Sequence, residues 1–211
     1  MKQSRLDQLA DSIFAIVMTI LVFEIRVPEL YGAINDQNLL TSLVALSPIF
    51  LSYLLGFSLL FTYWRSHHFI ASILAKNIDT HFSNLNAVFF FFIGLVPFSA
   101  HLLGQYSYSE VAIVFFATNI VLIGLSLFRM RHYAIMSKTI ENTPFTKTEN
   151  EHANMHILFP ILAAIVAVLV SYYNVNFALL FFTAAILFNL SDRSTRLTFY
   201  FIDIFRKKKK Q

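Results

Sequence analysis

The chain of 211 residues has no cysteine, one tryptophan, 5 glycines and 5 prolines, and only 13% of it is charged. Without cysteine it can build no disulfide framework, thiolate zinc cluster or dithiol redox pair. An average soluble domain carries about 25% charged residues, so this chain lacks the polar surface of one. No glycine-rich phosphate loop, dinucleotide fingerprint, Ser-His-Asp arrangement, aromatic cage or internal repeat is legible, which leaves no catalytic residue to nominate. What fills the chain is apolar: 57% hydrophobic residues, 24 of all residues being phenylalanine, and a mean hydropathy of +0.63. The composition is that of a membrane protein, with the phenylalanines suited to lipid contact and interhelical packing.

A spanning helix needs about 20 mostly apolar residues, and lipid offers the backbone no partners, so long apolar runs must be helical. Six stretches qualify: 9–27, 41–64, 82–104, 111–128, 157–173 and 175–190. The fold expected is therefore an all-α membrane protein with six transmembrane helices, a six-helix transmembrane domain over 1–191 and a basic tail over 192–211. Six spans place both termini on one side. Of the 16 lysines and arginines, only Arg26 then falls on the other side. That bias makes the terminal side cytoplasmic and the location a cell (plasma) membrane. The tail, ending RKKKK, meets anionic headgroups; nucleic acid is not expected as a partner. The net charge of +4 follows from topology and implies no acidic partner.

The first stretch, RLDQLADSIFAIVMTILVFEIRVPE, stands apart. It spans a bilayer yet holds Asp7 and Asp11 near its start and Glu24 and Arg26 near its end. Ionisable groups at membrane depth are costly and mark function by default. Asp7 or Ser4 suits its N-cap, and Pro28 its end. Ile16, Ile20 and Phe23 recur at i, i+4 and i+7 along one face, with Thr19 close by. The segment has no basic n-region, short apolar core and small-residue cleavage site, so it reads as a retained helix. The connector 29–38, with Gly32, Asn35 and Asp36, reads as a short turn, and Pro48 as a kink in the second helix.

Histidines offer a second line. His67 and His68 close the second helix, and His152 and His156 stand at i, i+4, a spacing that can chelate a metal on one helical face. There is no third histidine box and no carboxylate cluster to complete a site, so no metal or cofactor is expected. A proton-coupled carrier or a proton-conducting protein using Asp11 and His67 is an alternative, but the paired broken helices of such carriers are not legible. Asn86, inside the third helix, is an interhelical hydrogen-bonding group or a cavity liner. The fifth and sixth helices, uniformly apolar, are expected to face lipid and support the others.

The residues of the first half together resemble the bacterial members of the transmembrane protein 175 family, homologues of the endolysosomal potassium channel. The family's first-helix signature, Arg, three residues, then Phe-Ser-Asp, stands here as Arg5 and Leu9-Ala10-Asp11. Its Trp-x-x-His-His is Trp64, His67 and His68. Its third-helix Asn and Pro-Phe-Ser are Asn86 and Pro97-Phe98-Ser99. The second half is similar in hydropathy alone. The resemblance implies a homotetramer of six-helix subunits whose first helices line a central potassium pathway. It puts the constriction at Ile16, Thr19, Ile20 and Phe23, the last replacing the commoner leucine. Arg5, Asp11, Trp64, His67, His68 and Asn86 would anchor the pore helix, and Glu24, or less favourably Asp36, would draw cations to the outer mouth. The chain's partners would be monovalent cations, with K+ the preferred permeant ion. The signature serine is Ala10 here, so its hydroxyl is missing from that network.

Overall fold

Helices follow the apolar runs, and prolines divide two of them. The computed structural model describes residues 3–30, 35–141 and 147–190, with side chains of the last stretch over 153–188. The basic tail 192–211, Gly32 and the side chain of His152 lie outside the described residues. The helices are α1 (Gln3–Phe23), α2 (Asp36–Ala45), α3 (Ser47–His68), α4 (Thr80–Gly94), α5 (Val96–Gln105), α6 (Glu110–Met136), α7 (Lys147–Ser171) and α8 (Val175–Leu190).

The expected second helix is α2 plus α3, and the expected third is α4 plus α5. Each junction has a proline at the second position of the new segment, Pro48 and Pro97. Proline lacks the amide proton that would bond one turn back. The junction residues Leu46 (φ −77°, ψ −1°) and Leu95 (φ −83°, ψ −8°) stay near helical dihedrals, so the chain bends rather than reverses. α2 is capped by Asn35, whose side chain accepts from the Asn38 amide. The connector expected over 29–38 therefore yields its last residues to a helix. α6 continues to Met136, past the expected end at Phe128, because Arg129 opens a charged but unbroken helical stretch in which Met130, Arg131 and Ala134 are buried.

By length and composition, five stretches are able to cross a membrane: Gln3–Phe23, Ser47–Leu74, Thr80–Gln105, Glu110–Met136 and Ala153–Ser171. α8 is apolar throughout but has 16 residues, fewer than the roughly 20 of a full span. The expected count of six thus stands at five full-length helices and one shorter one among the described residues.

α1 packs on α3, α4 and α5; α6 packs on α4, α5 and α7; α8 packs on α7 and α3. The last pair of helices therefore does more than face lipid. Ala163, Ala164, Ala167 and Ala178 are buried in it, and small residues let membrane helices approach closely. The Phe116 and Phe182 rings meet edge to face at 5.8 Å.

At the end of the bundle that carries the N-terminus, α3 runs on as a π-helical turn, Phe69–Leu74. The connectors after it and after α6 are laced together. The Lys76 amide donates to the Glu141 carbonyl at 2.9 Å, and Asn77 bonds both the Thr139 carbonyl and the Glu141 amide. Asp79 caps α4 through the Phe82 amide and accepts from the Tyr133 and Thr139 hydroxyls at 2.5 and 2.6 Å. Burial would raise this carboxyl. The bonds from Thr139, Tyr133 and Phe82, with His81 nearby, outweigh it and hold the group down at about 2.

Candidate functional site: the two faces of the first helix

α1 divides lengthwise. Leu6, Ala10, Phe14, Val17 and Leu21 are buried against the bundle, a spacing of four, four, three and four that keeps one stripe inward. The opposite face is open. Ile16 is 57% exposed, Ile20 41% and Phe23 75%, and Thr19 and Ser12 lie exposed among them. The Thr19 hydroxyl donates to the carbonyls of Ala15 and Ile16 at 2.9 and 2.8 Å. Its proton is therefore committed to the backbone, and its oxygen lone pairs are what it offers outward. The face of α1 is thus apolar steps interleaved with hydroxyl oxygens.

Of the residues expected to anchor this helix, four are brought together in two pairs. The Trp64 indole N–H donates to Asp11 Oδ1 at 2.9 Å, joining α1 to α3. His67 Nε2 lies 2.7 Å from Asn86 Oδ1, joining α3 to α4. The Asn86 amide nitrogen is engaged with the Phe82 carbonyl, so its oxygen faces the histidine and Nε2 is the protonated nitrogen. The His67 ring is stacked on Phe89 at 5.2 Å and lies against Phe14 of α1 at 6.3 Å. His68 takes a different part: it is exposed, pairs with the Ser72 hydroxyl and stacks on Trp64. Arg5 is exposed and is in neither pair.

Two contacts of α1 had no forerunner in the sequence reading. The Gln3 amide donates to the carbonyls of Ala71 and Ala75, at 2.6 Å each, tying the start of α1 to the π-helical turn. At the far end, Glu24 Oε2 lies 3.0 Å from His101 Nδ1 of α5. Glu24 is thus engaged with a neighbouring helix, and Asp36 is exposed in the first turn of α2. A glutamine at a helix start and a histidine 77 positions from its partner carry no local pattern. Among the described residues no group of three or more His, Asp and Glu side chains gathers as a metal site would require.

Part of the chain is similar to known proteins in sequence, and most of it in fold. Residues 5–97 match the family described as "Endosomal/lysosomal potassium channel TMEM175". A potassium channel of Chamaesiphon minutus is 34% identical over 102 residues, covering 48% of this chain and 49% of that one. A potassium channel of a Chryseobacterium strain is 26% identical over 123 residues, covering 58% and 59%. The alignments thus span about half the length of these relatives. The crystal structure of a lysosomal potassium-selective channel TMEM175 homolog from Chamaesiphon minutus superposes with a TM-score of 0.72 at 25% identity, covering 91% of this chain and 97% of that one.

Proposed function

We propose that the chain, whose residues 5–97 match the TMEM175 family, is a member of that family and a potassium-preferring cation channel. Four copies would set the open face of α1 around a common axis, with both termini cytoplasmic in the cell membrane. One observation carries this reading. The face of α1 turned away from its own bundle bears Ile16, Thr19, Ile20 and Phe23, all exposed, while the opposite stripe is buried. Lipid would accept the isoleucines and the phenylalanine as well. Thr19 and Ser12 on the same side, with lone pairs facing out, suit a passage for cations better than hydrocarbon does.

The physics of such a passage is simple. Rings of bulky apolar side chains make a narrow neck from which water withdraws, and dewetting of this kind gates other pores. An ion entering it sheds part of its hydration shell. Potassium is larger than sodium and more weakly hydrated, so it loses less in shedding it. The Thr19 oxygens replace part of the lost water. Preference for potassium then arises without a carbonyl-lined filter. Asp11–Trp64 would hold the helix at the depth where these rings align, and His67–Asn86 would fix the ring against which Phe14 of α1 packs.

Purified protein in liposomes tests the reading through potassium and sodium flux. Wild type is expected to pass potassium in preference to sodium. Ile16→Asn or Ile20→Asn is expected to widen and wet the neck, raising flux and lowering the preference. Flux and preference unchanged in both variants would remove the filter from α1. Mass measurement of the solubilised particle is expected to give four subunits.

A further inference from the structure

At the end of the π-helical turn Phe69–Leu74, two carbonyls are left to a neighbouring helix. Ala71 and Ala75 are fully buried, and a buried carbonyl without a donor is costly. In a continuous helix the Ala71 carbonyl would accept from the amide four or five residues on, that of Ala75 or Lys76. The Ala75 amide goes instead to the Ile70 carbonyl at 3.1 Å, and the Lys76 amide to the Glu141 carbonyl at 2.9 Å. At Ala75 the backbone becomes extended (φ −88°, ψ 118°) and the helix stops. The donors for both carbonyls come from α1. The Gln3 side-chain nitrogen lies 2.6 Å from each, one proton for each. Alanine at both positions leaves the amide room to reach the backbone.

Gln3 thereby joins a fixed post to a helix with one free face. The turn is held from its other side as well: Asn77 and the Lys76 amide tie it to Thr139 and Glu141, and Ile70 and Leu74 are buried. α1 is buried along one stripe only, and Gln3 heads that stripe. Gln3, Leu6, Ala10, Phe14, Val17 and Leu21 follow one another at three, four, four, three and four residues. Apolar packing is not directional, so the five apolar members allow α1 to slide or roll. A two-pronged hydrogen bond does not, because its bonds weaken steeply out of line. The other polar tie to α3, Asp11 to Trp64, lies eight residues on, about 12 Å along the helix. Two directional ties at different heights fix depth and rotation together.

We propose that Gln3 is a positioning residue for α1. By capping the π-helical turn with both protons of its amide, it sets the height and rotation at which the open face presents Ile16, Thr19 and Ile20. The effect on ions rests on the channel reading above; the tie itself does not. The chemistry demanded at this position is specific. The carbonyl end of a helix carries partial negative charge, so it attracts donors and cations and repels anions. In Gln3→Glu a side chain of the same size has no proton to give and brings an anion to that end. Gln3→Leu fills the space and gives nothing. Gln3→Lys brings N–H donors and a positive charge, which bond the last carbonyls of helices well.

The full chain, purified in detergent at about pH 7, is compared as wild type, Gln3→Leu, Gln3→Glu and Gln3→Lys. The five buried residues of the stripe still dock α1 in each variant. Backbone hydrogen exchange over residues 6–12 is expected to quicken about five-fold in Gln3→Leu and Gln3→Glu, the shift that one net hydrogen bond supports. It is expected to stay near wild type in Gln3→Lys. Trp64 emission is expected to shift in the same two variants, because Asp11 turns with α1. In liposomes their preference for potassium over sodium is expected to fall about two- to five-fold, and Gln3→Lys is expected to retain it. Unchanged exchange in Gln3→Leu and Gln3→Glu overturns the tie. Exchange as fast in Gln3→Lys as in Gln3→Glu overturns the donor account. Faster exchange with Trp64 emission and ion preference unchanged confines Gln3 to ending the π-helical turn and overturns the positioning role. A wild type that conducts nothing, while exchange and emission follow the expected order, overturns the channel reading and leaves the tie standing.

Discussion

His67 and Asn86 form a sealed pair: the ring nitrogen is 2.7 Å from the amide oxygen, and the residues are 1% and 0% exposed. A buried donor left without an acceptor loses about 1–3 kcal/mol, whereas replacing both partners by apolar groups of similar shape is far less costly. Asn86→Leu alone is expected to lower stability by that order. The double variant His67→Phe/Asn86→Leu, which keeps a ring to stack on Phe89, is expected to lose less than Asn86→Leu. Thermal unfolding in detergent reads both. A double variant worse than the sum of its singles would show that the pair does something other than satisfy itself.

The Trp64–Asp11 bond is more open to solvent, and its removal should cost less, about 0.5–1.5 kcal/mol. Trp64→Phe keeps an aromatic ring near Phe61 and His68 and deletes only the donor. Asp11→Asn retains an oxygen acceptor and is expected to be milder than Asp11→Leu. Trp64 is the single tryptophan, so its emission reports the bond directly. Asp11→Leu is expected to shift the native emission spectrum, and an unchanged spectrum would contradict a bond between the two side chains.

Asp79 makes stability depend on acid. Its carboxyl is held at about 2, against 3.8 for an unconstrained aspartate, so the folded state binds its proton less readily than the unfolded one. Stability from this group is therefore fully present above about pH 4 and is lost as pH falls from about 4 to about 2. Asp79→Ala removes the α4 cap and both hydroxyl contacts, an expected loss of about 1–2 kcal/mol at neutral pH. Asp79→Asn keeps the cap acceptor and is expected to lose less. In Asp79→Asn the acid-side decline should be shallower than in wild type. Identical unfolding profiles between pH 4 and pH 2 would remove the role given to the carboxylate.

The helices and the open face of α1 were legible because they are written locally. Hydropathy marks the runs, and Ile16, Ile20 and Phe23 repeat at the helical period. The bends at Leu46 and Leu95 were partly visible in Pro48 and Pro97. The junction around Asp79 was not, since its partners Tyr133 and Thr139 are 54 and 60 positions away and no periodicity links them. For the same reason Glu24 suggested an open pore mouth, whereas its nearest partner, His101, belongs to another helix. The packing of α7 and α8 left a readable trace that uniform apolarity masked: the alanines at 163, 164, 167 and 178, all buried.

Glycines provide the sharpest test of how the bent helices fit. A β-carbon at Gly104 of α5 would stand 2.5 Å from Ser52 Oγ and 3.0 Å from the Ile49 Cα of α3. The serine hydroxyl can turn away, but the Ile49 backbone cannot without moving α3. Gly104→Ala is therefore expected to separate the two helices and cost about 1–3 kcal/mol, the usual range for overpacking. At Gly94, the last residue of α4, a β-carbon meets nothing within 4 Å. There the methyl group only restricts the unfolded chain and improves helix propensity, a gain of about 0.5–1 kcal/mol. Thermal midpoints should move in opposite directions for Gly104→Ala and Gly94→Ala. If Gly104→Ala unfolded no earlier than wild type, the close approach of α5 to α3 at Ile49 would be wrong.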